Sequence, residues 1–335
     1  MSKLIIPVPP SRGLKSTLQW VDELYRLPES DHYTFDFGQM NWIEPFPLLF
    51  LSANLRKFRR SKQKARFTAT NYQTNSYAAH MGFFEAFNLH FGNRPGEAQG
   101  SDAYLPITSK SIEELNKKAW RMNLHVGEVL EGDTEKLAQL LSQEKKSHLV
   151  ETLAYTLREI MRNAVEHSES AEFEYCGQYW PTQDKVEVAI LDCGIGVQKS
   201  LSANPDLKIS SEDHALRLAL LPGVSGKTNR GSDEYDHWAN SGYGLYLTSK
   251  LCAVGGSFFI CSGKRGLLRT GDGKEKYYDC SFQGTALRMV LHTSSISDLK
   301  GCLRQLRKEG EEVARLMSGA HPKASGASGG FRAKS

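Results

Sequence analysis

Glu159, Asn163 and His167 stand at four-residue intervals within Leu157–Ser168, LREIMRNAVEHS. On a helix that spacing stacks them along one face. A carboxylate able to take a proton, an amide and an imidazole then form a single polar row. Leu153, Leu157, Ile160, Met161 and Ala164 supply the opposite, apolar stripe. The stretch therefore predicts an amphipathic helix whose polar row faces away from the core.

The segments that follow must position this row. Val186–Val197, VEVAILDCGIGV, is a β-branched run ending in Asp192, Gly194 and Gly196. Asn240–Leu251, NSGYGLYLTSKL, places Gly242 and Gly244 ahead of a second helix, and Gly284–Leu291, GTALRMVL, enters a last strand through Thr285. Between them, Glu172–Tyr179 and Val186–Leu191 predict a hairpin turning at Pro181–Asp184. Residues 198–241 read as a long loop with one helix at Asp213–Leu221, the pattern of a lid. Ser257–Ser262, Leu267–Thr270, Tyr277–Phe282 and Thr285–Leu291 predict four strands. Helix, hairpin, loop, helix and strands make an α+β sandwich with helices on one face of a sheet.

These four motifs, in this order, resemble the ATP-binding domains of the gyrase, heat-shock chaperone, histidine kinase and MutL (GHKL) superfamily. The resemblance covers roughly residues 147–292 and implies a Bergerat-type sandwich that binds ATP with Mg2+. It implies Asn163 as the metal ligand; magnesium keeps most of its waters, so one amide oxygen suffices. Glu159 becomes the general base toward an attacking water or hydroxyl. Asp192 becomes the adenine reader, because a carboxylate accepts from adenine's exocyclic amine and is left unpaired by guanine's carbonyl. Gly194 and Gly196 would admit the base and sugar. Gly242, Gly244 and the following Leu245 would present a helix mouth to phosphate, and Thr285 would add a hydroxyl beside adenine. His167 is expected to cap its helix. Lys227 and Arg230 are candidates to reach phosphate from the loop. Gly226-Lys227-Thr228 is not a P-loop, since the glycine required five residues earlier is Leu221.

Ahead of this region, Ser11–Leu27 predicts a helix, Tyr33–Met40 a strand, and Pro45 and Pro47 open a helix running to Phe58. Ala65–Thr70 predicts a strand and Ser76–Leu89 another helix, a small α/β domain. The DFGQMNWIEPFPLLFL and MGFFEAFNL segments resemble a STAS-like domain, the fold of bacterial anti-anti-sigma factors. Where those factors carry a phosphorylatable serine, this chain has Glu44, Pro45 and Phe46. The resemblance therefore implies a fold and a protein-binding role without phosphoacceptor chemistry. Lys57–Arg66 is a basic run that reads as a solvated helix end.

The domain reading is residues 1–100 STAS-like, 101–146 a connecting helical segment, 147–295 the ATP-binding domain, 296–317 a C-terminal helix and 318–335 a flexible tail. The chain of 335 residues is long enough for two cores. A balance of 42 Lys and Arg against 38 Asp and Glu gives +4, too mild to indicate nucleic acid. The longest apolar run, Pro45–Leu51, is far short of a membrane span. MSKLIIPVPPSRG lacks a signal-peptide core, so a cytoplasmic location is expected. Six cysteines show no C-x-x-C spacing, which predicts free thiols.

A sensor histidine kinase would need a heptad phosphoacceptor helix, which residues 111–146 do not show. A gyrase- or MutL-like clamp would need a sizeable domain beyond His292. The expectation is an ATP-dependent regulatory switch, or an anti-sigma-type protein serine kinase in which Glu159 activates a partner's hydroxyl. The alternative is a non-catalytic, nucleotide-gated scaffold. A regulatory partner protein is expected either way, and a homodimer is compatible with the pattern.

Overall fold

In the computed structural model, residues 2–10, 13–41, 43–226 and 242–316 are described. Strand β1 (Lys3–Pro7) pairs in parallel with β2 (His32–Asp36), aligning Ile6 with Phe35. The sequence pattern predicts no element at β1; its five residues become a strand through this pairing. Helix α1 (Leu14–Arg26) crosses between them. Helix α2 (Pro45–Ser61) follows, with proline in its first turn, where the missing N–H is no loss. Strand β3 (Arg66–Thr70) then completes a three-stranded parallel sheet of order β1-β2-β3. The single helix expected over Ser76–Leu89 is two short ones, α3 (Ser76–His80) and α4 (Phe83–Ala86). The break falls at Gly82, whose φ of 86° a helix cannot hold.

Strand β4 (Tyr104–Ser111) leads into α5 (Ile112–Met122), capped by Ser111 as the S-x-x-E spacing predicts. Helices α6 (Val126–Val129), α7 (Glu131–Ser142) and α8 (His148–His167) come next. The hairpin is present as β5 (Glu172–Trp180) and β6 (Lys185–Asp192), joined through a short 3-10 turn. Helices α9 (Gly196–Leu201), α10 (Glu212–Ala219) and α11 (Gly244–Gly255) precede β7 (Gly256–Thr270), β8 (Glu275–Leu291) and α12 (Ile296–Arg315). The four short strands expected over 257–291 are thus two long ones. Register shifts around Gly263 let their pairing resume beyond the irregularity.

The second sheet is antiparallel, with order β4-β5-β6-β8-β7. Residues 101–146 are therefore more than a connector, since β4 forms an edge of this sheet. One face packs on α7, α8 and α11, with Val186, Val188 and Ile190 turned toward Leu153, Leu157 and Met161. The other face is not bare, as a one-sided sandwich would have it. Ala189, Leu191, Phe259, Cys261 and Phe282 share a core with α2 and the parallel sheet. Helix α2 lies between the sheets: Phe50 meets Phe282 at 4.9 Å, and Phe58 meets Tyr33 at 5.2 Å. A helix buried on both sides has little polar surface, and Phe46–Leu51 is apolar throughout.

Two ionic clusters pin α2 to the sheet. At its start, Lys185 reaches Glu44 at 2.6 Å, Arg288 reaches Glu187 at 2.7 Å, and Phe46 N–H donates to Glu187 at 3.0 Å. The Glu44–Phe46 segment therefore faces the sheet. Near the helix end, Arg56 grips Glu174 with two bonds of 2.9 and 2.8 Å. Among the described residues, no helix is long and apolar enough to cross a membrane.

Candidate functional site

Helix α8 starts at an N-cap serine, Ser147, whose hydroxyl accepts from Val150 N–H at 3.2 Å. Its C-terminal half forms one wall of a recess. Asn163, Ala164 and His167 line it, facing Asp192 and Thr285 at the paired ends of β6 and β8. Gly196, Val197 and Leu201 of α9 close one side, and Val224, Gly226, Gly242, Gly244 and Leu245 another. Seven predicted residues thus meet here: Asn163, Asp192, Gly196, Gly242, Gly244, Leu245 and Thr285. Lys227 and Arg230 lie outside the described residues.

Asp192 is the polar anchor. Only 7% of it is exposed, and its carboxylate accepts from Gly194 N–H at 2.9 Å. Burial pushes its carboxyl up to about 6, against the opposite pull of hydrogen bonds from Gly194 and Thr285. At neutral pH it remains mostly a carboxylate with acceptor capacity left. Gly194 does not line the recess. It serves as a close-approach residue, since a Cβ there would run into the Ser168 carbonyl at the end of α8. Ile195 N–H donates to that same carbonyl at 2.7 Å, tying the β6–α9 turn to the helix.

Glu159 departs from its expected placement. The polar row was expected to face away from the core, yet Glu159 is 2% exposed and does not line the recess. Tyr155 Oη donates to its carboxylate from one turn earlier. The start of α11 lies over it: a Cβ built on Gly244 would stand 2.6 Å from Glu159 Cβ. The reason is a long-range contact: only glycine at the mouth of α11 lets the two helices approach this closely. Asn163 and His167, half-buried, keep access to the recess.

The mouth of α11 is suited to an anion. Its N-cap residue, Tyr243, supplies no side-chain cap, and a twelve-residue helix directs its positive end here. Among the described residues, no three of His, Cys, Asp and Glu gather as metal ligands. A cation here would take most of its oxygens from a ligand or water, with Asn163 as the amide donor. The apolar walls Val197, Leu201 and Val224 and the hydroxyls of Ser200 and Ser225 were not foreseen. Val197 and Leu201 do stand four residues apart after a glycine, a short helical signal where the β-branched run gives way to the expected loop.

Comparison of the sequence with protein-family models and with curated protein sequences gives no match.

Proposed function

We propose that the recess binds an adenine nucleotide with magnesium and that the chain is an ATP-dependent regulatory switch. The observation that carries this reading is Asp192: a nearly buried carboxylate at a strand end, facing apolar walls, in one recess with Asn163 and the α11 mouth. A buried acceptor calls for a donor, and adenine's exocyclic amine is one. Asn163 and the N–H groups of the α11 first turn fit a metal-bound phosphate chain. Magnesium, when bound, would neutralise charge on the triphosphate. The order of the motifs, similar to that of GHKL ATP-binding domains, supports the same assignment.

The burial of Glu159 favours the non-catalytic, nucleotide-gated form of this reading over a protein serine kinase. With Tyr155 and Gly244 around it, Glu159 would meet an attacking hydroxyl only after the start of α11 moves. The STAS-like reading of the N-terminal part, with a partner protein as its ligand, belongs to the same proposal. The Glu44–Phe46 segment is held against the sheet, so a partner would dock elsewhere on that unit.

Calorimetric titration with ATP and magnesium, repeated with GTP, tests the reading. Binding that prefers ATP and is lost in Asp192→Asn and Asn163→Ala is the expected result. Equal binding of GTP, or none at millimolar ATP, would overturn it. Glu159→Ala should leave ATP affinity intact; phosphate release that it abolishes would restore Glu159 as a general base for hydrolysis, and only label transferred to a partner's hydroxyl would restore the kinase reading.

A further inference from the structure

A second cleft opens between the N-terminal unit and the five-stranded sheet, about 500 Å³ against about 100 Å³ for the recess. Three lysines border it from three elements: Lys57 on α2, Lys199 on α9 and Lys264 on β7. Lys57 comes from the basic run that the sequence leaves as a solvated helix end. Of the described residues lining the cleft, Glu212 alone is acidic, and its carboxylate already accepts from Lys264 N–H at 3.0 Å.

The lysines are poorly compensated. Lys57 Nζ donates to the neutral Gln283 Oε1 at 3.1 Å, and neither Lys57 nor Lys264 pairs with a carboxylate among the described residues. Lys199 stands 4.0 Å from Glu169 with both side chains about 70% exposed, a pair of little strength. An anion beside Lys57 would meet an exposed ammonium whose side-chain hydrogen bond goes to a neutral amide. Like charges in a cleft with low-dielectric walls concentrate the field and draw counter-charge inward. Ser262 adds a hydroxyl that accepts from Val197 N–H and keeps its own proton to give, whereas the Ser281 hydroxyl already donates to Asp22 at 3.1 Å.

We infer that this cleft is an anion-binding site for a compact phosphorylated ligand, distinct from the recess and bridging the two parts of the chain. Lysine suits phosphate as a point charge, and a cleft of this size admits a small molecule. The site is independent of the nucleotide assignment, although Val197 borders both cavities and gives an occupant a wall in common with the recess.

The test is calorimetric titration of the full chain with inorganic pyrophosphate at low salt. Three variants accompany it: Lys57→Gln with Lys264→Gln, Lys57→Arg with Lys264→Arg, and Asn163→Ala. Binding should weaken about tenfold or more in the glutamine pair, persist in the arginine pair, and persist in Asn163→Ala. It should also fall as salt rises. Both lysines are exposed, and matched melting curves check that the glutamine pair folds. Unchanged affinity in the glutamine pair, no binding at millimolar pyrophosphate, or loss confined to Asn163→Ala would each overturn the proposal.

Discussion

Gly244 sits directly on Glu159: a Cβ added at Gly244 would lie 2.6 Å from Glu159 Cβ and 2.9 Å from its Oε2. This contact fixes how closely α11 approaches α8, and hence the shape of the recess between them. Gly244→Ala must push the helices apart, because the obstructing Cβ belongs to the stem of Glu159 and cannot swing aside. A loss of about 1–3 kcal/mol in denaturant unfolding is expected, the range for overpacking a filled interior. Ligand affinity in the recess should fall with it. Wild-type stability in Gly244→Ala would show that α11 is not seated this tightly.

Asp192 separates binding from stability. Its carboxyl titrates near 6 when folded, above the usual range, because burial disfavours the charge. The folded state therefore holds this proton more firmly than the unfolded chain does. Asp192 opposes folding at neutral pH, and that opposition is relieved as pH falls through 6 toward its unfolded value near 4. Asp192→Asn should leave stability at pH 7 unchanged or raised. Ligand binding has the opposite sign, since the acceptor is lost on protonation. Affinity for an adenine nucleotide should drop roughly tenfold between pH 7 and 5 in the wild type. A flat profile over that range would remove Asp192 as the acceptor.

Tyr155 helps to hold Glu159 in its buried state. Its phenol donates to the carboxylate, and the Arg158 guanidinium stacks 5.3 Å from its ring centre. Tyr155→Phe keeps the ring and deletes one donor to a buried carboxylate. Unfolding should show a loss of about 1–3 kcal/mol. A neutral result would mean that other groups carry Glu159.

Much of the recess was legible because its residues obey local rules. Asn163 follows helical spacing, Asp192 ends a β-branched run, and Gly242 and Gly244 precede a helix. The burial of Glu159 was not legible, because helical spacing tells which residues share a face, not what later covers that face. The covering element, α11, begins 85 residues downstream. The same limit hid the second face of the antiparallel sheet. Val186–Asp192 is buried along almost its whole length, and such a run fits any strand covered on both sides. Nothing local says that α2 is the cover. Glu187 carried a clue: a carboxylate amid that apolar run, 0% exposed, needs buried cations, and Lys185 and Arg288 supply them.

The Arg56–Glu174 pair tests whether the two sheets form one cooperative body. Glu174 is 1% exposed on β5, and Arg56, on α2, bonds both its oxygens and also the Ala86 carbonyl at 2.9 Å. Removing the guanidinium strands a buried carboxylate, so Arg56→Ala should cost about 3–5 kcal/mol. Replacing both partners by apolar residues, Arg56→Met with Glu174→Leu, removes the stranded charge and should recover most of that loss. Because the pair joins the α2 layer to the antiparallel sheet, Arg56→Ala should lower a single unfolding transition, followed alike by tryptophan fluorescence and far-UV circular dichroism. Two separated transitions, with only the first moved, would mean that the N-terminal unit unfolds independently and that α2 merely rests on the sheet.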